Sequence, residues 1–220
     1  LAMNPEGGSD LLVRASEDDT WQHVLSWDAV DNMTSGPVGF TRGGDSMYLL
    51  DSRDSNAGRL VRYDLETEEI EVIASDPTYD VSDVMIHPDT WEVLAVSFTR
   101  AREEWEILDE SVAEDFEAIR ALDDGEHSVV SQTNDFDTWL VAFVKDDGPI
   151  SYYDRKSQAG EFMFVHRSDI VDYTLAEMEP VSYTARDGLE VHGYITFPPN
   201  SGRSDLPMVL NVHGGPWHRD

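Results

Sequence analysis

The chain has 220 residues, of which 40% are hydrophobic and 10% aromatic, and it carries a formal net charge of -30. The apolar content excludes a disordered chain, because enough side chains are available to build a core that offsets the entropy of ordering. The negative charge excludes nucleic acid and anionic membrane surfaces as partners, since binding phosphate requires positive charge.

The charge comes from 45 acidic residues against 15 basic ones, and only Lys145 and Lys156 are lysines. This composition resembles that of proteins from halophilic archaea, in which concentrated salt screens the repulsion between carboxylates. No cysteine is present, which excludes disulfides and thiolate sites. The longest apolar runs, such as residues 139–144, are too short to span a bilayer, and no signal-peptide pattern opens the chain.

We expect the stability of the protein to depend strongly on salt. Repulsion between carboxylates should weaken folding at low ionic strength, and screening should relieve it as the Debye length falls from roughly 10 Å at 0.1 M to about 3 Å at 1 M salt. Thermal melts in KCl over this range should give a midpoint that rises with concentration. A midpoint that stays constant or falls refutes the expectation.

From its start the chain consists of short predicted strands, first at 11–13 and 21–27, and then with a regular period. Three units place Asp and then Ser or Thr before an apolar strand. They begin at Asp45, Asp89 and Asp137, which are 44 and 48 residues apart. A period of roughly 40–50 residues filled with short strands is typical of β-propeller blades. A β-sandwich would also give many short strands and is the alternative fold.

A second repeated motif, Tyr-Asp-x-x-Thr/Ser, begins at Tyr63 and Tyr153, 90 residues apart, and predicts a polar hairpin after a strand. Apolar residues at helical spacing between 103 and 122 predict a helix inserted between blades. After the last strand of this region, residues 169–180 are predicted to be a linker. We therefore predict that residues 38–166 form consecutive antiparallel sheets about a common axis, with the helix outside them.

The last part of the chain has a different pattern. Segments 181–185 and 189–197 predict a hairpin around the Arg-Asp-Gly turn at 186–188. After a polar loop at 198–205, the uncharged run at 208–212 predicts a strand buried on both faces of a mostly parallel sheet. That strand leads into the motif His-Gly-Gly-Pro-Trp, whose two adjacent glycines allow backbone N–H groups to turn toward a bound group.

This motif resembles the oxyanion loop of the prolyl oligopeptidase family of serine peptidases, most closely its acylaminoacyl-peptidase-like members, and residues 186–195 resemble the hairpin that begins that family's hydrolase domain. The resemblance implies a mostly β fold: part of a β-propeller at 1–176, then the first strands of an α/β-hydrolase domain at 177–220. It implies a cytoplasmic peptidase for short or N-acylated peptides. Its propeller would gate access of the peptide substrates, and it would need no cofactor.

In an α/β-hydrolase the oxyanion loop supplies N–H donors, and the triad serine, aspartate and histidine follow it in the chain. The resemblance therefore implies that Gly214 and Gly215 are oxyanion-loop glycines, with Gly215 the preferred donor. His213 stands where some relatives have a tyrosine, so we expect backbone donation there rather than a role for its ring. Trp217 is the candidate substrate-binding residue, and packing beneath the loop is its alternative role.

The sequence contains no Gly-x-Ser-x-Gly motif, the usual setting of the nucleophile in this fold. Because the chain starts at Leu1 and stops just after the loop motif, we expect an inactive fragment whose triad lies beyond Asp220. The alternative function is a non-catalytic propeller that only binds partners. Acidic clusters such as Asp51, Asp54 and Asn56, or Asp146 with Asp147, have ligands for calcium but lack the Asp-x-Asp-x-Asp-Gly spacing, so we predict no metal site. Homo-oligomerisation is left open, since a partial propeller exposes sheet edges.

Overall fold

A computed structural model describes residues 1–156 and 159–215, and the chain divides into two compact units, 1–113 and 114–220. The described residues form antiparallel sheets and one α-helix, α1 (Ala113–Arg120). Short 3-10 helices lie at Asp31–Met33, Glu110–Val112 and Ser168–Ile170. In this part of the chain no helix combines the length and the apolar character needed to cross a membrane.

The first unit contains three antiparallel sheets, and in each of them the strands are neighbours in chain order. Sheet A consists of β1 (Ala2–Met3), β2 (Ser9–Val13) and β3 (Gln22–Trp27). Sheet B consists of β4 (Gly36–Phe40), β5 (Ser46–Asp51), β6 (Arg59–Asp64) and β7 (Ile70–Ala74). Sheet C consists of β8 (Val81–Ile86), β9 (Val93–Thr99) and β10 (Glu103–Ile107). Such meanders are the unit from which propeller blades are built.

Sheet B is covered on both faces. Side chains alternate along a strand, so successive residues of β5 point to opposite sides. One face of the sheet packs against sheet A through a cluster of Leu11, Leu25, Trp27, Met47, Leu49, Val61 and Tyr63. The other face packs against sheet C through Tyr48, Leu60, Ala74, Val81, Val96 and Phe98. The unbroken apolar run in β5 follows from this arrangement, because a strand buried on both faces has no polar side.

The repeated turn motifs are confirmed where the structure describes them. Asp45 precedes β5 and accepts a hydrogen bond of 3.0 Å from the Thr41 hydroxyl, and Asp89 lies in the turn before β9. At the end of β6, the Asp64 carboxylate accepts backbone N–H bonds from Glu66 and Thr67 at 3.0 and 2.8 Å. Asp64 thus closes its turn by bonding the backbone two and three residues further on, whereas Asp45 bonds a side chain of its turn.

The helix predicted over 103–122 is wrong in its first part. Residues 103–107 form β10, which pairs with β9 from Glu103 opposite Thr99 to Ile107 opposite Ala95. Glutamates alternate with Trp105 and Ile107 there, which is a strand pattern, and Arg100 stabilises it by donating 2.8 Å hydrogen bonds to Glu104 and Glu106. The helical part is α1, and its Phe116 and Ile119 are buried as the apolar spacing predicted.

The second unit contains sheet D and a separate hairpin. Sheet D consists of β11 (Glu126–Gln132), β12 (Thr138–Val144), β13 (Ser151–Lys156) and β14 (Ala159–Val165), and the hairpin of β15 (Met178–Thr184) and β16 (Glu190–Thr196). The third repeat is confirmed, because Asp137 directly precedes β12. The turn expected after Tyr153 includes residues 157–158, which lie outside the described residues.

Helix α1 packs on sheet D through aromatic rings. The Phe116 ring lies edge-on to those of Trp139 and His127, with centroid distances of 6.2 and 5.8 Å. The Phe143 ring lies 6.1 Å from His127 on the neighbouring strand. Burial, with a smaller contribution from the charge of Arg120, lowers the pKa of His127 to about 4. His127 is therefore a neutral core residue at pH 7.

This buried histidine predicts a loss of stability in mild acid. The unfolded chain takes up a proton near pH 6.5, whereas folded His127 does so only near pH 4, so stability should fall as the pH drops through this window. Urea midpoints measured in molar KCl should show this slope in the wild type and a much smaller one in His127→Leu. The exposed His166 provides the control, and His166→Leu should keep the wild-type slope. An unchanged slope in His127→Leu contradicts the prediction.

Candidate functional site

The hairpin that precedes the glycine loop forms as predicted, although its first strand begins at Met178, inside the segment predicted to be a linker. The strands pair from Met178 opposite Thr196 to Thr184 opposite Glu190. Gly188 has a φ of +91°, which glycine adopts without strain, and its N–H donates to the Ala185 carbonyl at 3.0 Å. The Asp-Gly pair thus supplies the turn for which it was identified.

The run at 208–212 is not the buried strand that the sequence predicted. The structure assigns no strand to these residues, and Met208, Val209 and Leu210 are 82%, 91% and 77% exposed. A strand covered on both faces needs hydrogen-bonded neighbours and packed layers on each side. Among the described residues no strand pairs with this run. The apolar composition favours burial of this run. Burial also requires neighbouring strands and helices, and among the described residues none packs against the run as a strand partner.

The candidate oxyanion loop follows this run, and its described residues are exposed. The His213 Nδ1 atom lies 2.7 Å from the Gly214 carbonyl oxygen, so the ring donates to the loop backbone when Nδ1 carries the proton. A Cβ on Gly214 would meet no atom within 4 Å. Gly215 has a φ of +134°, a conformation that residues with side chains rarely adopt. Trp217 lies outside the described residues, and the roles of all four residues stay predictions.

A serine, a histidine and an aspartate do meet elsewhere, on the exposed surface of sheet A. The Ser26 hydroxyl donates to Asp10 at 2.7 Å, and the His23 Nε2 atom lies 2.9 Å from the same hydroxyl oxygen. In a catalytic triad the histidine lies between the serine and the acid, whereas here the serine does. The hydrogen bond from Ser26 also lowers the pKa of Asp10, which makes that carboxylate a poor base. This cluster therefore lacks the arrangement of a triad.

One aspartate of each acidic cluster has a structural partner. Burial raises the pKa of Asp51, but hydrogen bonds from Arg53 and from the Trp27 indole N–H outweigh it, so the net pKa is lowered. Asp51 thereby bonds the last residue of β3 to sheet B. Asp146 accepts the backbone N–H of Met178. The described part of the chain contains no group of three or more His, Asp or Glu residues placed to hold a metal ion.

Comparison with solved structures defines the fold. The described architecture matches the propeller domains of prolyl oligopeptidases. One of two prolyl endopeptidases analysed for inter-domain dynamics aligns over 88% of this chain and 28% of its own, with a TM-score of 0.61 and 15% identity. A puromycin-hydrolyzing peptidase of Mycobacterium tuberculosis aligns over 89% of this chain and 31% of its own, with a TM-score of 0.53 and 15% identity. The prediction of a mostly β, propeller-type fold is confirmed.

Comparison of sequences gives particular relatives. Dipeptidyl aminopeptidase BIII of Pseudoxanthomonas mexicana is 33% identical over 98% of this chain, and dipeptidyl peptidase family member 6 of Caenorhabditis elegans is 26% identical over 94%. No protein-family model matches the chain. The chain spans 32% and 31% of the length of these two relatives. It is thus homologous to peptidases over almost its whole length while representing about a third of theirs.

One contact at the open end of the hairpin was not predicted from the sequence. Arg203 binds Glu179 with both terminal nitrogens, and its Nη1 donates to Oε2 at 2.9 Å. The two residues are 24 positions apart, on a loop and on β15, and neither belongs to a motif. The sequence contains no specific signal for this pair, because each of the 15 basic residues has many possible acidic partners.

Proposed function

We propose that this chain belongs to a serine peptidase of the prolyl oligopeptidase family. In this proposal residues 1–176 contribute to its propeller and residues 177–220 begin its hydrolase domain. The observation that carries the proposal is the 33% identity to a dipeptidyl aminopeptidase over 98% of the chain. The match includes both the propeller sheets and the segment with the glycine loop, so it supports the two-domain assignment as well as the family.

The proposed chemistry is acyl transfer by a Ser-His-Asp triad. The serine attacks the peptide carbonyl, the histidine accepts its proton, and negative charge develops on the carbonyl oxygen. Gly215, and secondarily Gly214, would donate backbone N–H groups to that oxygen. A donor placed 2.7–3.1 Å from the developing oxyanion typically contributes about 100- to 1000-fold in rate. We place the triad residues after Asp220 in the complete protein, in the order that this fold uses.

We propose peptides as substrates, with the propeller restricting entry to short ones. The glycine-loop motif favours N-acylated peptides, whereas the names of the two relatives favour release of dipeptides from a free N terminus. Release of dipeptides is better supported, because the match to these relatives extends over almost the whole chain, whereas the glycine-loop motif covers only five residues. The proposed enzyme therefore removes dipeptides from the N termini of short peptides.

Hydrolysis by the protein extended through its natural reading frame tests this proposal. It should cleave a dipeptidyl p-nitroanilide with a free amino group at least about tenfold faster, in kcat/KM, than the same substrate with an acetylated amino group. A loss of one charge-assisted hydrogen bond accounts for a ratio of this size. Preference for the acetylated substrate establishes the acylaminoacyl type instead. If the protein cleaves neither substrate, the assignment as a peptidase is contradicted.

A further inference from the structure

Arg203 closes the connection between the hairpin and the glycine-loop segment. This connection leaves β16 at Phe197, and the Arg203 guanidinium carbon lies 4.7 Å from the centre of the Phe197 ring. The same guanidinium holds Glu179, the second residue of β15. Glu179 pairs with Ile195 near the end of β16. Arg203 is therefore attached to β15 and to the residue that follows β16, at the open end of the hairpin.

The loop between these attachments is folded on itself. The Pro198 carbonyl accepts the Ser201 backbone N–H at 3.1 Å and the Ser201 hydroxyl at 2.7 Å. Asn200 completes the turn with a φ of +61°. The chain thus leaves the hairpin at Phe197 and returns to it at Arg203. The segment 206–215 starts only three residues after this return, so the contact of Arg203 limits where that segment can start.

The contact lies on the surface, with the Arg203 and Glu179 side chains 66% and 38% exposed, and its specificity comes from its geometry. A guanidinium that binds a carboxylate with two nitrogens and also stacks on a ring is constrained in both direction and plane. In a chain with 45 acidic and 15 basic residues, this arginine is held by one specific acid through two bonds. A solvated cation that only balances charge would not need this two-point contact.

We infer that Arg203 is a positioning residue for the oxyanion loop, acting through its two attachments to the hairpin. The inference rests on the proposed function, because it takes residues 213–215 to be that loop. Without Arg203 the connection loses both attachments, and the segment that carries His213, Gly214 and Gly215 starts from a less defined position. Displacement of an N–H donor by a fraction of an ångström weakens its hydrogen bond to the oxyanion, which forms mainly in the transition state. The displacement should therefore lower kcat more than it raises KM.

The test compares Arg203→Ala with Arg62→Ala in the protein extended through its natural reading frame. Arg62 is a matched control, because it also forms an exposed ion pair, with Glu71 across β6 and β7, and lies in the other unit. Arg203→Ala should lower kcat and the rate of fluorophosphonate labelling by about fivefold with KM unchanged. Arg62→Ala should change neither. The charge exchange Glu179→Arg with Arg203→Glu should recover at least half of the lost kcat, because it restores the two-point ion pair.

An Arg203→Ala enzyme within twofold of the wild type overturns the inference, as does an equal loss in Arg62→Ala or a change confined to KM. Failure of the charge exchange to recover activity, with an unchanged melting temperature, also overturns it. If the wild-type protein is neither labelled nor active, the proposed function itself fails. A labelled and active wild type with no effect at Arg203 overturns only the role of this arginine.

Discussion

Replacing Gly215 by valine in the extended enzyme should lower kcat by about a hundredfold or more. A backbone φ of +134° is strained for any residue with a side chain, so the variant should rotate the peptide and turn its N–H away from the oxyanion. Loss of one oxyanion donor typically costs about 100- to 1000-fold. Because the interaction is made mainly in the transition state, KM should change little. Steady-state kinetics on a dipeptidyl substrate measure both constants.

Gly39→Val serves as the control for this substitution. Gly39 lies on β4, and a Cβ there would meet no atom within 4 Å, with a backbone that is not in the positive-φ region. A β-branched residue on a strand is well tolerated, so Gly39→Val should retain at least about half of the wild-type kcat. If Gly215→Val is as active as Gly39→Val, then Gly215 is not an oxyanion donor.

Phe98→Ala should lower the free energy of unfolding by about 3–5 kcal/mol. Phe98 is fully buried on β9, in the cluster where sheets B and C pack together, and its truncation leaves a cavity between the two sheets. Urea unfolding of the protein in molar KCl, followed by tryptophan fluorescence, measures the change. A loss of this size is a large fraction of the stability of a typical domain.

Phe40→Ala is the matched control, because this phenylalanine lies on β4 of sheet B and is 41% exposed. Its truncation should cost less than about 1 kcal/mol, since a partly exposed ring loses fewer contacts. Equal losses for the two variants indicate that packing between sheets B and C does not hold the first unit together.

The features that sequence reasoning predicted correctly depend on local interactions. The turn residues Asp45, Asp64 and Gly188 act within a few positions of themselves, by bonding a side chain, bonding the backbone and bending the backbone respectively. Their spacing alone therefore indicated where strands begin and end. The apolar run after Asp45 predicted the strand β5, and the structure adds that both of its faces are buried. Arrangement of the sheets about a common axis and the domain boundary near residue 176 stay predictions.

The features that were missed depend on distant partners. Residues 103–107 have apolar side chains at a spacing that fits both a strand and the helix after them, and pairing with β9 decides for the strand. The run at 208–212 has strand composition, but a strand also requires neighbours to bond with. The pair of Arg203 with Glu179 joins two elements through a contact that no periodicity encodes.

Fluorophosphonate labelling tests the central claim most directly, namely that this chain supplies an oxyanion loop to a triad encoded after it. The probe forms a covalent bond with an activated serine, and its site of attachment can be read by mass spectrometry. The protein extended through its natural reading frame should be labelled at one serine located after Asp220, whereas the 220-residue chain should remain unlabelled. Labelling of the 220-residue chain at Ser26 or any other of its own serines would contradict the account.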